Sequence, residues 1–282
     1  MRVNTWLSPS NENYSLLIQK GPLKEPLLQI TAIKLYADGA LGSRGALLLK
    51  PYSDDSNNQG IATYDRNYFA KWADVALQNN FQLCVHAIGD SANRMILHVF
   101  AEKLGGKNDL RWRIEHAQVI DTADFDMFRQ FCIIPSMQPT HATSDMNWAG
   151  NRLGNRIINA YALRRLLEQN GWMPLGTDFP IENINPFYTF YAAVARKDLN
   201  GQPSEGFQMT DALTREQALM GMTLWAARSL FTEQWNGSLE PGKKADFVLI
   251  DRDIMKVNET ELPNTSVLAT YIDGKKVYTK GE

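Results

Sequence analysis

Short apolar runs of strand length, each followed by a stretch of helical periodicity, recur between about residues 30 and 230 of this chain. Strand candidates lie at 30–35, 82–86, 113–116, 133–137 and 173–176. Helix candidates lie at 68–79, 91–104, 122–130 and 160–170, then at 187–196 and 214–231. This alternation fits a parallel sheet covered by helices. Closure into a (β/α)8 barrel is the commonest outcome at this size, and a barrel of that kind works at the C-terminal ends of its strands. Four runs end in a residue able to do chemistry there: Lys34 in ITAIKLYADGALGS, His86 in FQLCVHAIGD, His116 in RWRIEHAQVI and Asp178 in MPLGTDFP. A doubly wound sheet would place a glycine-rich phosphate turn after its first strand, and none is present. The pattern changes after about residue 236. There a turn-rich lead-in precedes a strand at 246–250 and a second strand pair with an Asp273-Gly274 hairpin turn. The expected division is a barrel over 1–235 and a small β-sandwich portion over 236–282.

The chain's 282 residues can bury a large core. A net charge of -2 gives no electrostatic reason to expect nucleic acid or an anionic membrane as partner. No run of about 18 apolar residues occurs, and the residues after Met1 do not read as a signal peptide, so the cytoplasm is the expected compartment. Cys84 and Cys132 both lie in apolar runs and read as buried free thiols.

The four strand-end residues suit hydrolysis at a carbonyl centre. A divalent metal lowers the pKa of water and polarises a carbonyl, and neutral imidazoles suit zinc. His86 and His116 could supply imidazoles, and Asp178 could move a proton between water and leaving group. A buried lysine is more easily neutralised, and as a neutral amine Lys34 could form a carbamate that bridges metal ions. The alternatives are a salt bridge from Lys34 to Asp38 or a Schiff-base lysine. A lone histidine in an apolar run is more often structural, and Asp178 before Phe179-Pro180 could merely cap a turn. His98 lies inside a helix candidate and reads as structural, and Asp90 or Ser91 reads as that helix's N-cap.

The segments KLYADGALGSRGALL, VHAIGDSAN, RIEHAQ, PSMQPTH with SDMNWA, and LGTDFPIENINPF resemble the amidohydrolase superfamily. The resemblance is best to the amidohydrolase-3-like branch, which includes N-substituted formamide deformylases. GSLEPGKKADFVLIDRD resembles the closing signature of that superfamily, where the chain passes from barrel to β-sandwich. The resemblance implies a metal-dependent (β/α)8 barrel that hydrolyses C–N bonds of amide type, most often with zinc. It implies that Lys34, a carboxylated lysine in many binuclear members, His86, His116 and Asp178 are metal ligands, and that Asp178 is also the catalytic base. Gln138 and His141 match a loop after strand seven that faces the substrate, and Arg44 matches a position near the substrate pocket.

One part of the family pattern is missing. Members carry a His-x-His pair on strand one, and the histidines here are His86, His98, His116 and His141 alone. The first strands of the barrel are therefore expected to be lacking, with one weakly held metal at most and little or no hydrolysis by the chain as given. Three explanations stand: truncation, which is favoured, completion by another chain or a dimer partner, and a diverged remnant. In the last case the chain would be a non-catalytic binding or structural module. The expected partner otherwise is a small-molecule substrate, and a homodimer would cover the exposed sheet edge.

Overall fold

The computed structural model describes residues 2–281, which group into two compact units. The first comprises Met1–Met137 and Asp145–Gly171, the second Gln138–Ser144 and Trp172–Glu282.

The first unit is built on a parallel sheet. Its elements in chain order are β1 (Val3–Leu7), α1 (Asn11–Leu16), β2 (Leu23–Lys24), β3 (Leu28–Tyr36), α2 (Arg66–Gln78), β4 (Gln82–Ala87), α3 (Asp90–Leu104), β5 (Arg113–His116), α4 (Phe125–Gln130) and β6 (Ile134–Ser136). Helices α5 (Pro139–Leu153) and α6 (Leu163–Asn170) follow. The first residues of α5, to Ser144, belong with the second unit. The parallel strands run in the order β1-β3-β4-β5-β6, and β2 lies antiparallel on β3. Ala32, Ile33, Leu83, Val85 and Ile114 are wholly buried, as strands covered on both faces require. Helices α2 and α3 pack together beside β3 and β4. Asp65 caps α2 by accepting from the Tyr68 N–H at 2.9 Å, and Gly105 ends α3 in the left-handed conformation.

In the second unit, α7 (Pro186–Ala195) is capped by Asn185, whose side chain accepts from the Phe187 N–H at 3.0 Å. Helix α8 (Arg215–Met222) opens on a reciprocal capping box between Thr214 and Gln217, and α9 (Leu224–Ser229) follows after Thr223. A three-stranded antiparallel sheet closes the chain: β7 (Phe247–Ile250), β8 (Val267–Ile272) and β9 (Lys275–Thr279). Rings of Phe247 and Tyr271 stack across β7 and β8 at 4.5 Å.

The α/β class with a separate antiparallel sheet is as expected. The described strands form an open sheet and not a closed ring of eight, as in a barrel lacking its first strands. Two features differ from the sequence reading. Residues 173–176 do not form a strand of the sheet, since Pro174 has no N–H to donate; the Leu175 N–H goes to the Gly221 carbonyl at 3.0 Å. The helix expected over 214–231 is two helices.

Candidate metal centre

Register brings the polar residues of the first unit onto one sheet face. Lys34 pairs with Cys84, and Cys84 with Arg113; one row further on, Tyr36 pairs with His86, and His86 with Glu115. Side chains alternate along a strand, so Lys34, Cys84, Arg113, His86 and Glu115 share a face. His116 follows Glu115 and should point to the opposite face. It does not, because its backbone is left-handed at φ 73° and Ala117 continues at φ 40°. The imidazole is turned, and its ring meets that of His86 edge-on with centroids 4.6 Å apart. A left-handed non-glycine residue costs about 1–3 kcal/mol and persists only where its surroundings over-determine it. Here the residues just beyond are pinned. The Val119 N–H donates to the Ile88 carbonyl at 2.9 Å, and the Gln118 amide donates to the Tyr161 hydroxyl at 3.0 Å.

Asp38 adds a carboxylate beside these imidazoles. Its carboxylate accepts from the N–H groups of Ile88, Gly89 and Leu47 at 3.0, 2.8 and 2.9 Å, tying the loop after β3 to the end of β4. It also lies 3.5 Å from His86 Nε2. A carboxylate beside one ring nitrogen is the usual companion of a metal-ligating histidine. Burial pushes the Asp38 carboxyl up to about 7, against the pull of the three N–H donors. Gly89 is glycine for a steric reason: a Cβ there would stand 2.0 Å from the Leu47 carbonyl oxygen.

Lys34 is half-buried, with Nζ 5.5 Å from the Trp6 ring centroid and 5.1 Å from that of Tyr36. Beside it Arg113 and Glu115 form a buried ion pair at 3.0 Å. Burial alone would raise the Glu115 carboxyl, but the charges of Arg113 and Lys34 outweigh it and hold the group below the usual carboxylate range.

The second unit holds Asp178 and His141. Asp178 is also left-handed, at φ 60°, and opens a turn closed by the Ile181 N–H on its carbonyl at 2.8 Å. His141 lies in the first turn of α5, between two carboxylates: Nε2 is 3.2 Å from Asp178 Oδ2, and Nδ1 is 3.1 Å from Glu182 Oε1. Ser144 donates to the same Glu182 oxygen at 2.6 Å. Burial works to raise the Glu182 carboxyl, yet the bonds from His141 and Ser144 leave it below its ordinary value.

Of the remaining expected residues, Gln138 is half-buried at the entry to α5, and its carbonyl accepts from the His141 N–H at 3.2 Å. This segment begins a helix, where the sequence resemblance suggested a loop. Arg44, left-handed at φ 59°, places its guanidinium on Asp54 through two bonds of 3.1 Å. His98 is exposed on α3, and Asp90 is the first residue of that helix, after the N-cap Gly89. Cys84 and Cys132 are free thiols, the first buried and the second half-buried. Among the described residues no helix is long and apolar enough to cross a membrane.

Comparison with known proteins places the chain. Residues 4–278 match the amidohydrolase family. The chain belongs to this family. Among its relatives, protein LONG AFTER FAR-RED 3 of Arabidopsis thaliana is 34% identical over 98% of this chain and 47% of its own length. The N-substituted formamide deformylase of Arthrobacter pascens is 25% identical, over 90% of this chain and 46% of its own. An uncharacterized metal-dependent hydrolase from Pyrococcus horikoshii superposes with a TM-score of 0.81 at 30% identity, covering 92% of this chain and 52% of that structure. This amidohydrolase-family chain thus spans about half the length of the curated relatives it matches.

Proposed function

We propose that the chain carries the chemistry of a metal-dependent hydrolase of amide-type C–N bonds, with zinc as the ion. Lys34, His86, His116 and Asp178 are its proposed ligands. The observation that carries this reading is the pair of imidazoles at the ends of neighbouring strands, 4.6 Å apart, one of them turned inward by a left-handed backbone. A buried imidazole at His116 and a half-buried one at His86, the latter backed by the Asp38 carboxylate, are a donor set that suits zinc. When bound, the ion would supply Lewis acidity, polarising a carbonyl and easing deprotonation of water.

The protein's own groups would do the rest. Asp178 takes a proton from the attacking water and returns it to the departing nitrogen, which as an amide anion is otherwise a poor leaving group. His141, hydrogen-bonded to Asp178, orients that carboxylate. Gln138, His141 and Arg44 are the proposed substrate-facing residues. The amide preference is supported by the deformylase among the relatives.

The test is hydrolysis of N-substituted formamides and acetamides by the zinc-loaded chain. Without the His-x-His pair turnover should be weak, and the expected result is that it is lost with a chelator and in Asp178→Asn, with zinc content retained in that variant. A zinc-loaded chain that turns over no amide would favour the alternative reading, a binding or structural module. That alternative has one sequence observation behind it, the missing His-x-His pair.

A further inference from the structure

We infer that Glu182 is a positioning residue for the hydrolytic reaction, acting through His141. The inference rests on the functional reading above, which assigns roles to Asp178 and His141 and none to Glu182. The geometry is a chain of three side chains within the second unit. Glu182 Oε1 lies 3.1 Å from His141 Nδ1, and His141 Nε2 lies 3.2 Å from Asp178 Oδ2. An ionised carboxylate can only accept hydrogen bonds, so each contact calls for a proton on the nitrogen that makes it, and without Glu182 the Asp178 contact would leave the proton on Nε2 and none required on Nδ1. The Glu182 contact fixes both the ring plane and which nitrogen faces Asp178.

Glu182 is itself held. Ser144 stands one helical turn after His141 on α5, and its hydroxyl donates to the same Oε1 at 2.6 Å. Thus the oxygen that orients the imidazole is anchored from the same helix that carries the imidazole, and His141 cannot rotate about χ2 without giving up both carboxylates. Glu182 lies four residues after Asp178, just past the turn that Asp178 begins, so one short segment supplies both partners of the ring. The carboxylate is 18% exposed and the His141 side chain 12%, which limits competition from water for these bonds.

The test uses the intact chain with 15N-labelled histidine. It has four histidines, and His141 is assigned by its loss in His141→Gln. In the parent chain the ring nitrogens of His141 should show a proton fixed on Nδ1. Glu182→Ala should abolish that preference, and Glu182→Gln, which keeps a carbonyl acceptor, should restore most of it. If amide hydrolysis is found, Glu182→Ala should lower kcat about 10–100-fold, with KM within about threefold. Ser144→Ala, a milder change, should move the same resonances in the same direction by less, and it decides the matter should Glu182→Ala fail to fold. His141 resonances unchanged in Glu182→Ala, or in Ser144→Ala where only that variant folds, would overturn the proposal. Failure of every form to hydrolyse amides would remove the functional reading and leave the ring measurement to judge Glu182 by itself.

Discussion

Glu115→Gln should be among the most damaging single changes in the first unit, although glutamine is nearly the same size. Glu115 and Arg113 are 4% and 2% exposed and pair at 3.0 Å. The arginine also stacks 4.8 Å from the Trp6 ring centroid, and Lys34 Nζ is 5.5 Å from it, which bounds the separation of the two cations at about 10 Å. At an effective dielectric constant of about 20, two unit charges that far apart repel by about 1.7 kcal/mol. With Lys34 as the ammonium, Glu115 screens that repulsion besides neutralising Arg113. Removing one partner of a buried pair costs about 3–5 kcal/mol, a large part of a typical total stability of about 5–15 kcal/mol. Urea unfolding of the metal-free chain, followed by circular dichroism, should show a loss of this size. Replacing Arg113 and Glu115 together by methionine should cost less than Glu115→Gln alone, because no unpaired charge stays buried. A loss under about 1 kcal/mol in Glu115→Gln would refute the reasoning.

Two further outcomes follow from packing. Gly89→Ala should destabilise by about 3 kcal/mol or more in the same assay. The new Cβ would meet the Leu47 carbonyl, which cannot retreat because it accepts from the N–H groups of Ser91 and Ala92 at 3.1 and 3.3 Å. Burial pushes the Cys84 thiol up to about 11, so a thiol reagent at pH 8 should label Cys132 in the native chain and reach Cys84 only on unfolding. Rapid native labelling of both would contradict the burial of Cys84.

The strands that carry the candidate ligands were legible because each is an apolar run ended by a polar residue; the 113–116 expectation matches β5 residue for residue. Strand β1 is not legible: VNTWL is short, and the adjacent polar residues Asn4 and Thr5 interrupt its apolar run. Helix α5 escaped because PTHATSDMNWAGNRL is rich in weak helix formers, although Pro139 at its first position was a readable start signal. The 113 and 115 charges in RWRIEH were also readable as a pair, since residues two apart share a strand face. What no pattern could disclose was the left-handed backbone at His116 and Asp178. Strict alternation sends His116 to the wrong face, and only the pinned turn beyond it brings the imidazole back to His86. Glu182 was hidden for a similar reason, since its partner His141 lies 41 residues away in sequence.

The most direct test of the proposed metal centre is a zinc titration of the purified chain, read by calorimetry and by elemental analysis. The expected result is no more than one zinc per chain, with binding lost in His86→Ala and in His116→Ala and retained in His98→Ala, whose histidine is exposed on α3. Zinc binding that survives both strand-end substitutions, or two ions per chain, would contradict the assignment of His86 and His116 as the imidazole ligands of a single site.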